Sequence, residues 1–341
     1  MTESVDLGDF RHGATDSSAD PQADFSTNVH PLGPCPGTVA ALARADRRRY
    51  PDPAYRELKE RLAAHHGAAP ERIVVGAGAS ELVARLVATV PGAVLVREPT
   101  FVEYRKAAWA FDRPVLRASS DEEFLALLAR ASIAFLCHPN NPDGTLHSPE
   151  FLAGAATLAG RSGCRLVLDL AYAPMVRAKP DLPDGAQQLW APNKSMDCAG
   201  VRAGYLVASD ADFAAALDKR AASWILSAEG VELLREFVEP STTAWLESTR
   251  PEIGRLLAEL GTLLHRRRWL VRTGTANFLV AMPPPPWNAA AIANELREHG
   301  IRLRDAANMG LPGWLRLAAR PDRELRLLET ALDSIVLPGG K

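Results

Sequence analysis

Cysteine is scarce in this chain of 341 residues, which contains only four. Cys35, Cys137, Cys164 and Cys198 lie far apart and form no Cys-x-x-Cys pair. In a chain of this length, that spacing argues against a disulfide framework and against a cysteine zinc site. We therefore expect reduced, mostly buried thiols in a cytoplasmic protein that uses no metal.

Long apolar runs and a strong net charge are also missing. No run approaches the roughly 20 apolar residues that a membrane span needs, and the N-terminus, MTESVDLGDF, is too acidic and polar for a signal peptide. The formal net charge is −2, which argues against a general nucleic-acid-binding surface. These absences predict a soluble protein that contacts neither membrane nor nucleic acid.

The chain does contain short apolar runs that alternate with helical patterns. The runs are RIVVGAG, AVLVREP, IAFLCHP and RLVLDLAY. Such alternation is typical of a mostly parallel sheet covered by helices. The pattern changes near residue 235, where residues 230–269 read as one long helix and short strands follow. We predict an N-terminal arm (1–45), a large α/β domain (46–235) and a small α+β domain (236–341).

In a sheet of this kind, ligands bind at the carboxyl ends of the strands. The segments at those ends are Gly76–Glu81, Pro99–Tyr104, His138–Gly144 and Asp169–Tyr172, and the segment around Lys194 joins them. Because parallel strands bring these ends to one edge, we expect the five segments to meet there.

Lys194 is the only cation of LWAPNKSMD, and Arg202 follows it by eight residues. A lysine at the ligand edge of a sheet has its pKa lowered by burial, which makes the amine nucleophilic. Taken alone, Lys194 also fits a surface loop. Asp169 ends an apolar run, where a carboxylate is costly to bury unless a cation meets it. Alone, it also fits a helix N-cap or a structural ion pair.

Neighbouring segments add the remaining chemistry. Tyr172 offers a phenol and Asn141 an amide, while the turn GAGASEL presents the backbone amides of Ala79 and Ser80 to an anion. Together the groups provide a lysine for an imine, a carboxylate for a protonated ring nitrogen, donors for a phenolic oxygen and a phosphate site. These are the partners that pyridoxal 5′-phosphate (PLP) requires.

The order of motifs resembles the class I/II aminotransferases of PLP fold type I over essentially the whole chain. The matching motifs are GxGxSE, PTF, NNPxG, DxAY and KxxxxxGVRxGY. The resemblance implies a large PLP-binding domain with a sheet of seven-stranded type. It also implies that Lys194 carries the cofactor, that Asp169 pairs with the pyridine nitrogen and that Phe101 stacks on the ring. Tyr172 and Asn141 would bind the ring oxygen.

The resemblance extends to the phosphate, the partner subunit and the substrate. Ala79, Ser80 and Arg202 would bind the cofactor phosphate. In the homodimer typical of the family, Tyr50 of RYP would reach the neighbouring subunit's cofactor phosphate. Arg316 of GWLRLA would hold an acidic group of the small amino-acid substrate. Arg304 of IRLRD is a second candidate for that role.

Two branches of the superfamily fit best. RHGA, DFSTNVHPLGP and RYPDPAY resemble the threonine-phosphate decarboxylases of cobalamin side-chain synthesis. The later motifs also match the histidinol-phosphate aminotransferases, which usually lack the HG arm. The first resemblance implies that His12 and Asn28 lie near the substrate, although His12 also fits an unconstrained position on a loose arm. Retention of both Lys194 and Asp169 argues against a non-catalytic scaffold.

Four positions depart from the family pattern. Pro192 stands where a Ser or Thr usually donates to the phosphate, and Asn193 is the expected substitute. Leu170 replaces a glutamate, Asp143 turns NPTG into NPDG, and His30 replaces the second Asn of NxNPLG. His30 bears most on the substrate, because it falls in the segment expected to recognise it.

Overall fold

The computed structural model describes residues 19–176 and 181–335. The strands of this part of the chain are β1 (Ala23–Asp24), β2 (Ile73–Gly76), β3 (Val94–Arg97), β4 (Val115–Ala118), β5 (Ile133–Cys137), β6 (Arg165–Asp169), β7 (Gln187–Trp190), β8 (Gly204–Val207), β9 (Leu270–Thr273), β10 (Phe278–Met282), β11 (Ile301–Arg302), β12 (Arg304–Asp305) and β13 (Leu315–Ala318). The α-helices are α1 (Pro36–Arg44), α2 (Arg56–His66), α3 (Ala79–Thr89), α4 (Glu103–Ala110), α5 (Asp121–Leu127), α6 (Pro149–Ser162), α7 (Ala211–Asp218), α8 (Ala228–Phe237), α9 (Pro240–Arg266), α10 (Ala289–Glu298) and α11 (Asp322–Ser334).

Seven strands form the large sheet, in the order β2-β8-β7-β6-β5-β3-β4. Only β8 is antiparallel to its neighbours in this sheet, and the other strands run parallel. Alternate residues of the inner strands face opposite layers, because side chains alternate along a strand. Val96 and Phe135 pack in the core that includes α3, α4 and α7, whereas Leu95 and Leu136 pack in the core that includes α5 and α6. The mostly parallel α/β fold is confirmed.

A second, antiparallel sheet has the order β12-β13-β10-β9. Its core contains apolar residues of α9, α10 and α11, among them Leu260, Ile292 and Leu328. The first described residues of the predicted arm join this region, since β1 pairs in parallel with β11. That pairing brings the residues that follow β1 towards the edge where the two sheets meet. The division into arm, large domain and small domain remains our proposal.

The prediction of one long helix over residues 230–269 is wrong. α8 ends at Phe237, and α9 begins separately at Pro240. Pro240 stands in the first turn of α9, where the missing N–H of proline leaves no intrahelical hydrogen bond unmade. The break lets α8 pack against α1 while α9 continues towards the second sheet.

The thiols match the sequence-based expectation: Cys35, Cys137 and Cys164 are buried, Cys198 is partly buried, and all four are free. Within the described ranges, no helix has both the length and the apolar character that crossing a membrane requires.

Candidate active site

A cavity of about 300 Å³ lies at the carboxyl edge of the parallel strands. It receives residues from all five predicted segments, from the chain after β1 and from the second sheet. The predicted site residues that line it are Asn28, Ala79, Ser80, Phe101, Asn141, Asp169, Tyr172, Asn193, Lys194, Arg202, Arg304 and Arg316. Parallel strand direction explains this convergence, because each segment leaves the sheet at the same edge.

Two other predicted residues are not in this cavity. His12 lies outside the described residues. Tyr50 is 77% exposed and stacks on Trp224, with 4.5 Å between the ring centroids. Its contact with a neighbouring subunit stays a prediction.

Lys194 lies in the tight turn that follows β7, and its carbonyl accepts a hydrogen bond from the His30 amide at 2.9 Å. The side chain lines the cavity and is not on a surface loop. Burial lowers the pKa of Lys194 to about 8, helped by the positive charges of Arg316 and Arg202. A larger fraction of this amine is therefore neutral, and so nucleophilic, at neutral pH than for an exposed lysine.

Asp169 ends β6 and is 2% exposed. Its Oδ1 accepts from the Ala171 amide at 3.1 Å and its Oδ2 from the Tyr104 hydroxyl at 2.7 Å. Burial raises the pKa of this carboxyl, and the two hydrogen bonds oppose that rise. No described cation offsets the charge, so the residue is not half of a structural ion pair. A cationic ligand group in the cavity would supply the missing partner.

Tyr172 follows β6 and Asn141 follows the neighbouring strand β5, and both line the cavity with Asp169. Burial raises the pKa of Tyr172 to about 12, so its hydroxyl stays protonated at neutral pH. The Asn28 amide nitrogen is 3.5 Å from that hydroxyl, and Asn28 Oδ1 is a buried acceptor with no partner among the described residues. Asn141 Oδ1 accepts from Arg316 Nη1 at 2.6 Å.

The N-terminus of α3 forms an anion cradle. Gly78 precedes it at φ +89°, a conformation that favours glycine. A Cβ on Gly78 would come within 2.7 Å of Arg202 Nη2, so the absence of a side chain lets that guanidinium approach. The first amide of α3 that donates to a backbone carbonyl of the preceding turn is that of Leu82, which bonds to Gly78. The amides of Ala79 and Ser80 are thus open to an anion.

Two of the four departures occupy structural positions next to the site. The Pro192 carbonyl accepts from the Ser195 hydroxyl at 3.1 Å and helps close the Lys194 turn. Asn193, its neighbour, lines the cavity, and its side-chain amide donates to the Ala199 carbonyl at 3.4 Å. Leu170 is fully buried in the apolar core between the sheet and α6, where a glutamate would be costly.

The other two departures also make local contacts. Asp143 Oδ1 accepts from Asn140 Nδ2 at 2.8 Å and closes the turn that carries Asn141. His30 Nε2 lies 3.0 Å from the Thr249 hydroxyl on α9, and burial lowers the pKa of His30 to about 4. Its neutral side chain lies outside the cavity lining, so this departure is a matter of packing.

Two arginines face the cavity from the second sheet. Arg304 and Arg316 are register partners on β12 and β13, which places both side chains on one face. Both are buried. Burial, then the charge of Arg316, lowers the pKa of Arg304 to about 10. Arg316 donates to two neutral acceptors, Asn141 Oδ1 and the Ser26 carbonyl, the latter at 2.7 Å.

Sequence reasoning gave no role to several residues at the site. Ser26, Thr27 and Met309 line the cavity, and the Tyr104 hydroxyl donates a hydrogen bond to Asp169 Oδ2 from behind the cavity. Only Tyr104 could have been found from the sequence. It is the last residue of PTFVEY, one of the segments predicted to lie at the carboxyl ends of the strands. Ser26 and Thr27 reach the cavity because β1 pairs with β11, and no local sequence pattern predicts that pairing.

The chain belongs to the class I and II aminotransferase family, whose model matches residues 20–335. The histidinol-phosphate aminotransferase of Dinoroseobacter shibae is 27% identical over 96% of this chain and 95% of its own. The threonine-phosphate decarboxylase of Salmonella typhimurium is 28% identical over 96% of both chains. A Sinorhizobium meliloti histidinol-phosphate aminotransferase solved with PLP shares the fold, with a TM-score of 0.81 at 24% identity over 92% of this chain and 90% of that one.

Family membership confirms the predicted fold type I architecture, and the protein is a PLP-dependent enzyme. The cavity fits this cofactor on three observations. Asp169 is a buried carboxylate that pairs with no cation in the described part of the chain. Gly78 and Arg202 shape an anion cradle beside open amides. Asn28 has a buried acceptor to which no described residue donates.

Proposed function

We propose that the protein acts on a small phosphorylated amino acid and removes its carboxylate, as an L-threonine O-3-phosphate decarboxylase. The observation that carries the proposal is the cross-strand pair of buried arginines, Arg304 and Arg316. Burial, then the positive charge of Arg316, lowers the pKa of Arg304 to about 10, so an anion beside the pair would stabilise the charged guanidinium. A phosphate carries between one and two negative charges and several acceptor oxygens, so it would offset both arginines.

The second acidic group of such a substrate is its carboxylate. The Asn28 side-chain amide on the arm and the Tyr172 hydroxyl in the turn after β6 line the same cavity and would donate to that carboxylate. Asp24 fixes this part of the arm, because its carboxylate accepts from the Ser26 amide at 2.8 Å and from the Thr27 hydroxyl at 3.0 Å. A rigid arm suits the task of holding a carboxylate at one angle.

The cofactor-binding roles follow from position. Lys194 would bond to PLP covalently, Asp169 would hold the ring nitrogen in its protonated form, and Phe101 would cover the ring face. Tyr172 and Asn141 would bind the ring oxygen. The residues that would surround the phosphate are Ala79, Ser80, Asn193 and Arg202.

When bound, PLP accepts the electron pair of the bond that breaks. The chain selects that bond through Arg304, Arg316 and the arm, which hold the acidic groups in place. If these residues expose the carboxylate to cleavage, CO₂ would leave and Lys194 Nζ would deliver a proton to the carbon. If they expose the hydrogen instead, Lys194 Nζ would remove it as a general base.

Removal of the hydrogen leads to transamination, and the aminotransferases among the similar proteins support this alternative. Histidinol-phosphate aminotransferases stand among them beside the threonine-phosphate decarboxylase. Their catalytic groups are expected to be the same as those named above, and a phosphorylated amine would suit the same two arginines. The alternative function is therefore an aminotransferase of the histidinol-phosphate type.

We further propose a cytoplasmic homodimer in which Tyr50 reaches the partner's cofactor phosphate. The exposure of Tyr50 and its stacking on Trp224 support a protein contact at this place. His12 would lie near the substrate. With threonine phosphate as substrate, the enzyme would act in cobalamin side-chain synthesis.

The substrate proposal predicts multiple turnovers of L-threonine O-3-phosphate without any keto acid. The expected products are CO₂ and an aminopropanol phosphate, followed by mass spectrometry, while the visible absorbance of the cofactor returns after each turnover. No CO₂, together with a single conversion of the cofactor to its amine form on adding glutamate or histidinol phosphate, would replace the decarboxylase with the aminotransferase.

The phosphate role of Arg304 predicts a selective defect in Arg304→Gln. We expect kcat/KM for the phosphorylated substrate to fall about 10- to 100-fold, since a hydrogen bond to a charged group contributes about 1.5–3 kcal/mol. The same measurement with the substrate lacking phosphate should change little. Arg272→Gln is the control, because Arg272 sits over the Trp314 ring of the same sheet, away from the cavity. An equal loss for both substrates would contradict the role.

A further inference from the structure

Tyr104 is a fully buried tyrosine directly behind the cavity. It lies in the first turn of α4, and its ring stacks on Phe135 of β5 with 4.7 Å between centroids and 7° between planes. The Phe101 ring meets it edge-on at 5.7 Å. Aromatic neighbours on two sides fix the direction in which the hydroxyl points.

That hydroxyl points at Asp169 Oδ2, 2.7 Å away. Burial, then the charge of Asp169, holds the pKa of Tyr104 well above its usual range, so the phenol remains a donor. The other carboxylate oxygen is bonded to the Ala171 amide, which belongs to the same turn as Asp169. Tyr104 is thus the side chain that fixes the carboxylate from a different element of the fold.

We infer that Tyr104 is a positioning residue: its hydroxyl holds the Asp169 carboxylate in place and in its anionic form, facing the ring nitrogen of the cofactor. The inference rests on the role proposed above for Asp169. It adds a residue that touches neither substrate nor cofactor. Tyr104 also contacts Phe101. The same side chain therefore supports Phe101, which is proposed to cover the cofactor ring, and Asp169, which is proposed to pair with the ring nitrogen.

The physical reason is the cost of a buried charge. A carboxylate out of water relies on its hydrogen bonds, and losing one raises its affinity for a proton. The charge of Asp169 also acts on two other described groups, Cys137 of β5 and Tyr172, and burial raises the pKa of each, so both stay neutral. Neither replaces the Tyr104 donor. A protonated Asp169 no longer stabilises a protonated ring nitrogen, and the ring then withdraws electrons poorly.

The test is Tyr104→Phe in the holoenzyme, which keeps the ring and removes the hydroxyl. We expect kcat to fall about 10- to 100-fold while KM changes little. The visible absorbance of the bound cofactor, measured at one fixed pH, should shift in the same direction as in Asp169→Asn. In the double variant, Tyr104→Phe should add little to Asp169→Asn, because the hydroxyl acts through that carboxylate.

Tyr205→Phe is the matched control. Tyr205 is equally buried, and its hydroxyl bonds to His66 at 2.8 Å, away from the cavity. If Tyr104→Phe behaves like Tyr205→Phe in spectrum and kcat, while Asp169→Asn is impaired, the inference about Tyr104 fails and the role of Asp169 stands. If Asp169→Asn itself keeps the spectrum and kcat of the parent enzyme, the proposed role of Asp169 and the inference fail together.

Discussion

Lys194→Ala should abolish turnover and the visible absorbance of covalently bound cofactor together. In the proposed function, the Lys194 amine links the cofactor and moves the proton at the reacting carbon, and no neighbouring side chain in the described cavity offers a second amine. We expect kcat to fall about a thousandfold or more, at the upper range for loss of a general base. Steady-state assays and an absorbance scan of the purified protein measure both effects.

Lys106→Ala is the control for this change, since Lys106 is a half-exposed lysine on α4 that pairs with Glu103. It should retain both colour and turnover. Thermal unfolding of both variants shows whether they are folded. Full activity in Lys194→Ala would refute the assignment of the site.

Asp169→Ala should leave a coloured but nearly inert protein. The proposed covalent link to Lys194 and the proposed phosphate cradle at Gly78 do not depend on this carboxylate, so we expect the cofactor to remain bound. Without the anion that is proposed to keep the ring nitrogen protonated, the cofactor would supply less electron withdrawal. We expect kcat to fall about a hundredfold or more, as for removal of a buried, charge-stabilising group.

Cofactor content and kcat, measured on the same preparation, separate the two effects of Asp169→Ala. Retained absorbance with lost turnover supports the pairing of Asp169 with the ring. A colourless protein would mean that Asp169 serves to bind the cofactor, and unchanged turnover would mean that it has no part in the chemistry.

The large sheet and its functional edge were predictable from sequence. Runs such as IAFLCHP are apolar throughout because both faces of the strand are covered, and the residues that follow each run must leave at the same edge. This simple rule brings Asn141, Asp169 and Lys194 together without any knowledge of the strand order. The motifs then pointed to the cofactor, and family membership confirmed it.

Contacts between distant elements were not predictable in this way. The facing of Arg304 and Arg316 depends on the register of β12 and β13, and the Tyr104–Asp169 hydrogen bond on how α4 packs on the sheet. Likewise, the pairing of β1 with β11 makes the arm part of the site, although its sequence reads as irregular. Pairing between strands is set by tertiary packing, which local periodicity does not encode.

The identity of Lys194 as the attachment point is the central claim, and its most direct test is chemical mapping. The purified holoenzyme is reduced with borohydride, digested, and analysed by mass spectrometry for a peptide that carries the reduced cofactor. We predict one modified peptide, spanning LWAPNKSMD, with the added mass on Lys194. Attachment at another lysine, or no attached cofactor in an active enzyme, would contradict the account.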